Sequence, residues 1–152
     1  MKIKLTLLFG LILLLTFCKK DDLLKDNYFV FGVAYGECNT DCATFYLIEN
    51  NKIYPDNMNS YYNYPLKFKN DQLTLSNYNL AKKLIDDFPK YLTDNPNKTF
   101  GCPDCHDQGG IHINIKENGE NKIWHIDPEI SKLPLELQNY VQEIQDILSQ
   151  LK

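Results

Sequence analysis

Five cysteines and three histidines carry most of the chemistry open to this chain of 152 residues. Four of the cysteines form two close pairs, Cys38 with Cys42 (C-x3-C) and Cys102 with Cys105 (C-x2-C), and His106 directly follows the second pair. In an exported domain an even cysteine count is first of all a disulfide framework, and four cysteines allow three connectivities. Two local bridges would each stabilise by about 2 kcal/mol in the chain-entropy model, and bridges between the pairs by about 4 kcal/mol each. The same four sulfurs have spacing suited to an all-cysteine zinc site, in which His106 could replace one ligand. Such a site needs thiolates that stay reduced. Cys102-Pro103-Asp104-Cys105-His106 also spells C-x-x-C-H, the attachment motif of c-type haem. That motif usually opens a helix; here Asp107-Gln108-Gly109-Gly110 and an alternating segment follow instead.

The other two histidines are brought together by a turn. Asn118-Gly119 is a type I′ hairpin signal, because both central positions of that turn need positive φ. A two-residue loop there sets Glu117 opposite Glu120, Ile113 opposite Trp124, Ile111 opposite Ile126, and His112 opposite His125. One face of the hairpin is then largely apolar, and the two histidines share the other. They read either as solvent-exposed polar positions on an outward face or as a metal site awaiting a third ligand. Asp104, Asp107 and Gly109-Gly110 do not match the spacing of an EF-hand and read as turn residues.

Elements must hold these groups. Tyr28 to Tyr35 is aromatic and β-branched and predicts a strand; Ala43 to Glu49 predicts a second, with Asn50-Asn51 turning the chain into Lys52-Ile53-Tyr54. Residues 55–65 read as a loop, and Leu66 to Leu75 as one or two further short strands. Ser76 is a candidate N-cap for a helix to about Phe88, with Ala81, Leu84, Ile85 and Phe88 on one face. Residues 93–110 read as a loop. The last helix begins near Pro134, with an apolar stripe of Leu137, Tyr140, Val141, Ile144, Ile147, Leu148 and Leu151. The order strands, helix, hairpin, helix predicts an α+β domain: one antiparallel sheet with two helices packed on one face.

The chain's first residues are set apart from this fold. Lys2 and Lys4 precede an apolar run from Leu5 to Phe17. As a helix its thirteen residues span about 20 Å, short of a hydrocarbon core of roughly 30 Å, so the run reads as an export signal. Leu15-Thr16-Phe17-Cys18 resembles the lipobox of bacterial lipoproteins, and Lys19-Lys20-Asp21-Asp22 resembles the export tag of surface lipoproteins in the Bacteroidetes. That resemblance implies a signal peptide over 1–17, lipidation at Cys18 and a tether over 18–27. It also implies an outer-membrane address, facing the cell surface, with the membrane as one partner. Residues 28–152 would form a single globular domain.

Composition limits the partners of that domain. Net charge is -4, and all sixteen basic residues are lysine. With a pI near 5.3 this excludes the basic, arginine-bearing face of a nucleic-acid binder. No nucleophile elbow, P-loop, HExxH or Rossmann fingerprint is present. Gly36 to Tyr46 (G-x-C-x3-C-x3-Y), Gly101 to Gly110 (G-C-P-D-C-x-D-x-G-G) and the strand ending Trp124-x-Ile126-Asp127 resemble small uncharacterised outer-membrane lipoproteins of flavobacterial type. The resemblance implies a domain boundary and a role for the cysteines, and no activity. The expectation is a non-enzymatic binding or structural domain for a protein or small-molecule ligand, stapled by its cysteines and without a cofactor. The alternatives are zinc held by Cys38, Cys42, Cys102, Cys105 and His106, with His112 and His125 as further candidate ligands, and haem c at Cys102, Cys105 and His106.

Overall fold

A run as apolar as YFVFGVA cannot alternate between core and solvent, so the strand it forms has to be covered on both sides. The computed structural model describes residues 27–36, 38, 40, 42–58 and 65–151, and there this segment is the strand β1 (Tyr28–Ala34), buried along nearly its whole length. It is followed by β2 (Ala43–Glu49), β3 (Lys52–Pro55), α1 (Leu75–Asp86), α2 (Lys90–Asp94) and β4 (Thr99–Phe100). Then come β5 (Gly110–Glu117), β6 (Glu120–Ile126), a 3-10 turn at Ile130–Lys132 and α3 (Leu135–Gln150). The expected leader, Cys18 and all of the expected tether but Asn27 lie outside the described residues.

Among the described residues one sheet of six strands runs in the order β3-β2-β1-β5-β6-β4. It is antiparallel except at β4, which pairs parallel to β6. The α+β class holds, and the wholly antiparallel sheet is corrected by those two residues. They stand inside the segment read as a loop, because a two-residue strand shows no period. That segment also carries the end of α2, a third helix beyond the two expected.

One face of the sheet packs against the helices. Phe29, Phe31, Tyr46, Ile48, Ile111, Ile113, Trp124 and Ile126 meet Ala81, Leu84 and Leu92 and the whole stripe of α3. Burying one such side chain is worth about 1.5–3 kcal/mol, so this face dominates the stability. Trp124 is fully buried, and its indole N–H reaches the carbonyl of Asn95 at 2.8 Å.

The second face has a smaller core of its own: Val30, Ala34, Ala43, Phe45 and Leu47 with Leu66 and Phe68. Residues 66–69 do not form the expected strand. They run beside the end of β3 through one isolated bridge, Asp56 to Phe68, and two backbone bonds, so their apolar side chains act as a cover. The cap of α1 is Thr74, not Ser76; its hydroxyl accepts the N–H of Asn77 at 3.2 Å. Both residue types cap well, and the structure selects the earlier one.

Candidate functional site

The G-C-P-D-C turn closes one end of the sheet, and two aspartates fasten it there. Gly101 has a φ of 71°, and a Cβ at this position would stand 2.4 Å from the Cβ of Asp127, so only glycine fits. Asp127, fully buried just after β6, accepts the N–H of Cys102 at 2.9 Å and that of Glu129 at 2.9 Å. Burial alone would raise its carboxyl pKa. The backbone donors of Glu129 and Cys102, the nearby charge of Lys132 and Gln108 outweigh burial and hold it below the ordinary value. Asp104, itself at a φ of 61°, accepts the N–H of Gly109 at 2.9 Å with one oxygen and the N–H of Gly36 with the other. The loop is thereby tied to the chain just beyond β1.

The cysteines pair locally. Cys38 is bonded to Cys42 and Cys102 to Cys105, with Cα separations of 5.4 and 5.5 Å. Of the three connectivities open to the sequence, this is the pair of short loops. Sulfurs joined in this way are not thiolates, so they do not form the four-cysteine zinc set and do not bond a haem vinyl group. His106 is exposed, and its backbone N–H is engaged within the turn by Gln108 at 2.7 Å.

His112 and His125 are a different case. They face each other across β5 and β6 in the register set by Asn118 and Gly119, whose φ values are 52° and 83°. Their ring centroids are 4.5 Å apart. Neither is the solvent-facing position that an uncovered outer face would give; both are partly buried. His112 also meets the edge of Phe45, with centroids 5.8 Å apart. Gly32 makes that contact possible. It pairs with both Phe45 and His112, and the space a side chain would need is occupied by Phe45 and the carbonyl of Thr44.

Both imidazoles line a cavity of about 190 Å³, together with Ala34, Tyr35, Gly36, Pro103, Asp104 and Gly110. Burial, then the neighbouring His125, pull the pKa of His112 down to about 4, against the opposing pull of Asp104. Burial also lowers that of His125. With both values lowered, the rings are uncharged at neutral pH. Nε2 of His125 is buried with no hydrogen-bond partner among the described residues. The same holds for Oδ1 of Asn114, two residues along β5 from His112 and on the same face.

A larger opening of about 420 Å³ lies where α1 meets the ends of β1, β2 and β5. Its walls are chiefly apolar, from Phe29, Ile48, Ile85, Phe88 and Ile115.

Tyr35, Pro103 and Asp127 escape a reading from sequence. Only Asp127 leaves a trace there, since Asp-Pro-Glu after a strand is the pattern of an Asx turn, which the bond to Glu129 completes. No family model matches this chain, and no curated protein matches it.

Proposed function

We propose that this chain is a lipoprotein anchored to the outer membrane through Cys18 and exposed at the cell surface. Its folded domain is not an enzyme; it binds a ligand in the cavity between the G-C-P-D-C turn and the histidine pair. The observation that supports this best is the pairing of all four domain cysteines in short-range disulfides. Such bonds persist in an oxidising compartment, which is where the leader and the Cys18 motif would deliver the chain. An acyl-bearing cysteine explains the fifth, and two or three acyl chains suffice for stable anchoring.

The test is metabolic labelling of the full chain with an alkynyl fatty acid in a Bacteroidetes host, followed by protease treatment of intact cells. Labelling that depends on Cys18 and is absent from Cys18→Ser, with the domain degraded from outside, supports the reading. Label-free, cytosolic protein overturns it.

A further inference from the structure

We propose that the Cys102–Cys105 bridge is a thiol-exchange site: it takes two electrons from a dithiol reductant, and its opening releases the Pro103-Asp104 wall of the histidine cavity. This goes beyond ligand binding there and needs neither the anchor nor an occupied cavity.

The two bridges stand in different surroundings. Cys42 is buried, with 1% of its surface exposed, and Cys38 is partly buried. Cys102 and Cys105 are both exposed. Exchange begins when a thiolate reaches a disulfide sulfur, so access decides which bridge reacts. A thiol from solution meets the second bridge without any unfolding. At the first, Cys42 is closed to it and Cys38 only partly open.

The backbone around the second bridge is held in an uncommon shape. Gly101, Asp104, Asp107 and Gly109 all have positive φ, at 71°, 61°, 58° and 77°. The two aspartates carry side chains, and such residues stay in the left-handed region where their surroundings hold them there. At the Cys102 end the hold is buried, because the Asp127 carboxylate accepts the Cys102 N–H. Further along it is weaker. The bond from Gly36 to Asp104 is exposed to water, as are the two that Gln108 makes, to the Cys102 carbonyl and the His106 N–H. The backbone bond from Cys105 to Cys102 is long, at 3.3 Å. Asp104 and Gly109 share a backbone bond of 3.0 Å, so the tie to Gly36 is the one that depends most on the bridge.

Pro103 and Asp104 lie between the two cysteines, and both wall the cavity beside Gly36. With the bridge closed, Asp104 joins this wall to the chain just beyond β1. With it open, the Asp104 backbone leaves the left-handed region and the bond from Gly36 is exchanged for water. The cavity widens on that side alone, since Cys102 stays fastened to Asp127.

Opening takes two steps. A thiolate of the reductant attacks one of the two sulfurs; a new S–S bond forms, the Cys102–Cys105 bond breaks, and the released sulfur takes up a proton. The second thiol of the reductant gives up its proton and attacks the reductant's own sulfur in this mixed disulfide. The other cysteine leaves and is protonated in turn. Two electrons and two protons have then passed to the chain, and the dithiol has become a disulfide.

The test uses the full chain, purified in detergent with its bridges closed and kept free of denaturant. Samples held in dithiothreitol for increasing times are alkylated, digested and read cysteine by cysteine, with Cys18 scored in its own peptide. Cys102 and Cys105 should be alkylated together, about tenfold or more faster than Cys38 and Cys42. Amide exchange followed by NMR should show the Gly36 N–H of the reduced form losing protection by about tenfold relative to amides inside β5. Cys102→Ser combined with Cys105→Ser should show the same loss with no reductant present. Two bridges that open at one rate, a second bridge that opens only in denaturant, or a Gly36 N–H equally protected in both forms overturns the proposal. The alkylation and exchange of the unsubstituted chain need no variant, so a substitution that disturbs folding does not blunt them. Fatty-acid labelling at Cys18 reports on the anchor separately, and either result can fail without the other.

Discussion

The backbone N–H of Cys102 donates to the carboxylate of Asp127 at 2.9 Å, which ties the first cysteine of the second disulfide to the end of β6. The same carboxylate holds Glu129 and fits against Gly101, so one buried side chain organises the turn that walls the histidine cavity.

Asp127→Asn replaces a charged acceptor of two backbone donors by a neutral amide, one end of which is itself a donor. We expect a loss of about 1.5–3 kcal/mol in urea unfolding at pH 7, with an unchanged slope. Because the carboxyl is held below its ordinary 3.8, its contribution is present above that pH and disappears as pH falls through the lowered value. The gap between the two proteins should therefore close in acid. An equal gap at pH 7 and pH 2 would contradict this account.

His112 acts on a different limb of the pH curve. Its folded value near 4 lies below the unfolded 6.5, so the unfolded chain binds the extra proton first. Stability from this ring is complete above about pH 6.5 and is lost as pH falls towards 4, roughly 3 kcal/mol in all. The protein should show that decline in its denaturant midpoint, and His112→Gln should flatten it. A midpoint that rises between pH 7 and pH 5 would refute the assignment.

Gly32→Ala tests the packing that brings Phe45 against His112. The added Cβ would meet the carbonyl oxygen of Thr44 at 2.2 Å and the Cα of Phe45 at 2.8 Å, both backbone atoms of the adjoining strand. Neither yields by a side-chain rotation. We expect a cost of about 3 kcal/mol and a thermal midpoint lower by roughly 10 °C. A neutral substitution would mean that β1 and β2 are less tightly apposed.

The bridges can be counted by mass. Intact oxidised protein should weigh four hydrogens less than its reduced form, and peptide mapping should recover Cys38 with Cys42 and Cys102 with Cys105. Replacing either pair by serine should cost about 2 kcal/mol, as small loops do. Linkage between the two pairs would disprove the connectivity.

Much of this was legible from residues alone. The Asn118-Gly119 turn dictates the pairing of β5 with β6, because a side-chain period of two allows no slip without exchanging the apolar and histidine faces. The stripe of α3 is equally local, and all seven of its positions are buried. The starts of α1 and the strand expected over 66–75 were less so. Thr74 and Ser76 are chemically alike, and the apolar pattern of a cover resembles that of a strand.

The sequence by itself determined the strand that begins at Tyr28, the face of the last helix and, given a two-residue loop at Asn118-Gly119, the meeting of His112 with His125, all consequences of local composition, periodicity or turn chemistry. Only the tertiary structure decided the rest. Which cysteines pair, whether β4 joins β6, and which residues wall the histidines depend on contacts such as Asp104 with Gly36, 68 residues apart. Periodicity carries no information across that distance. The chain had to fold before a turn residue could become the wall of a site.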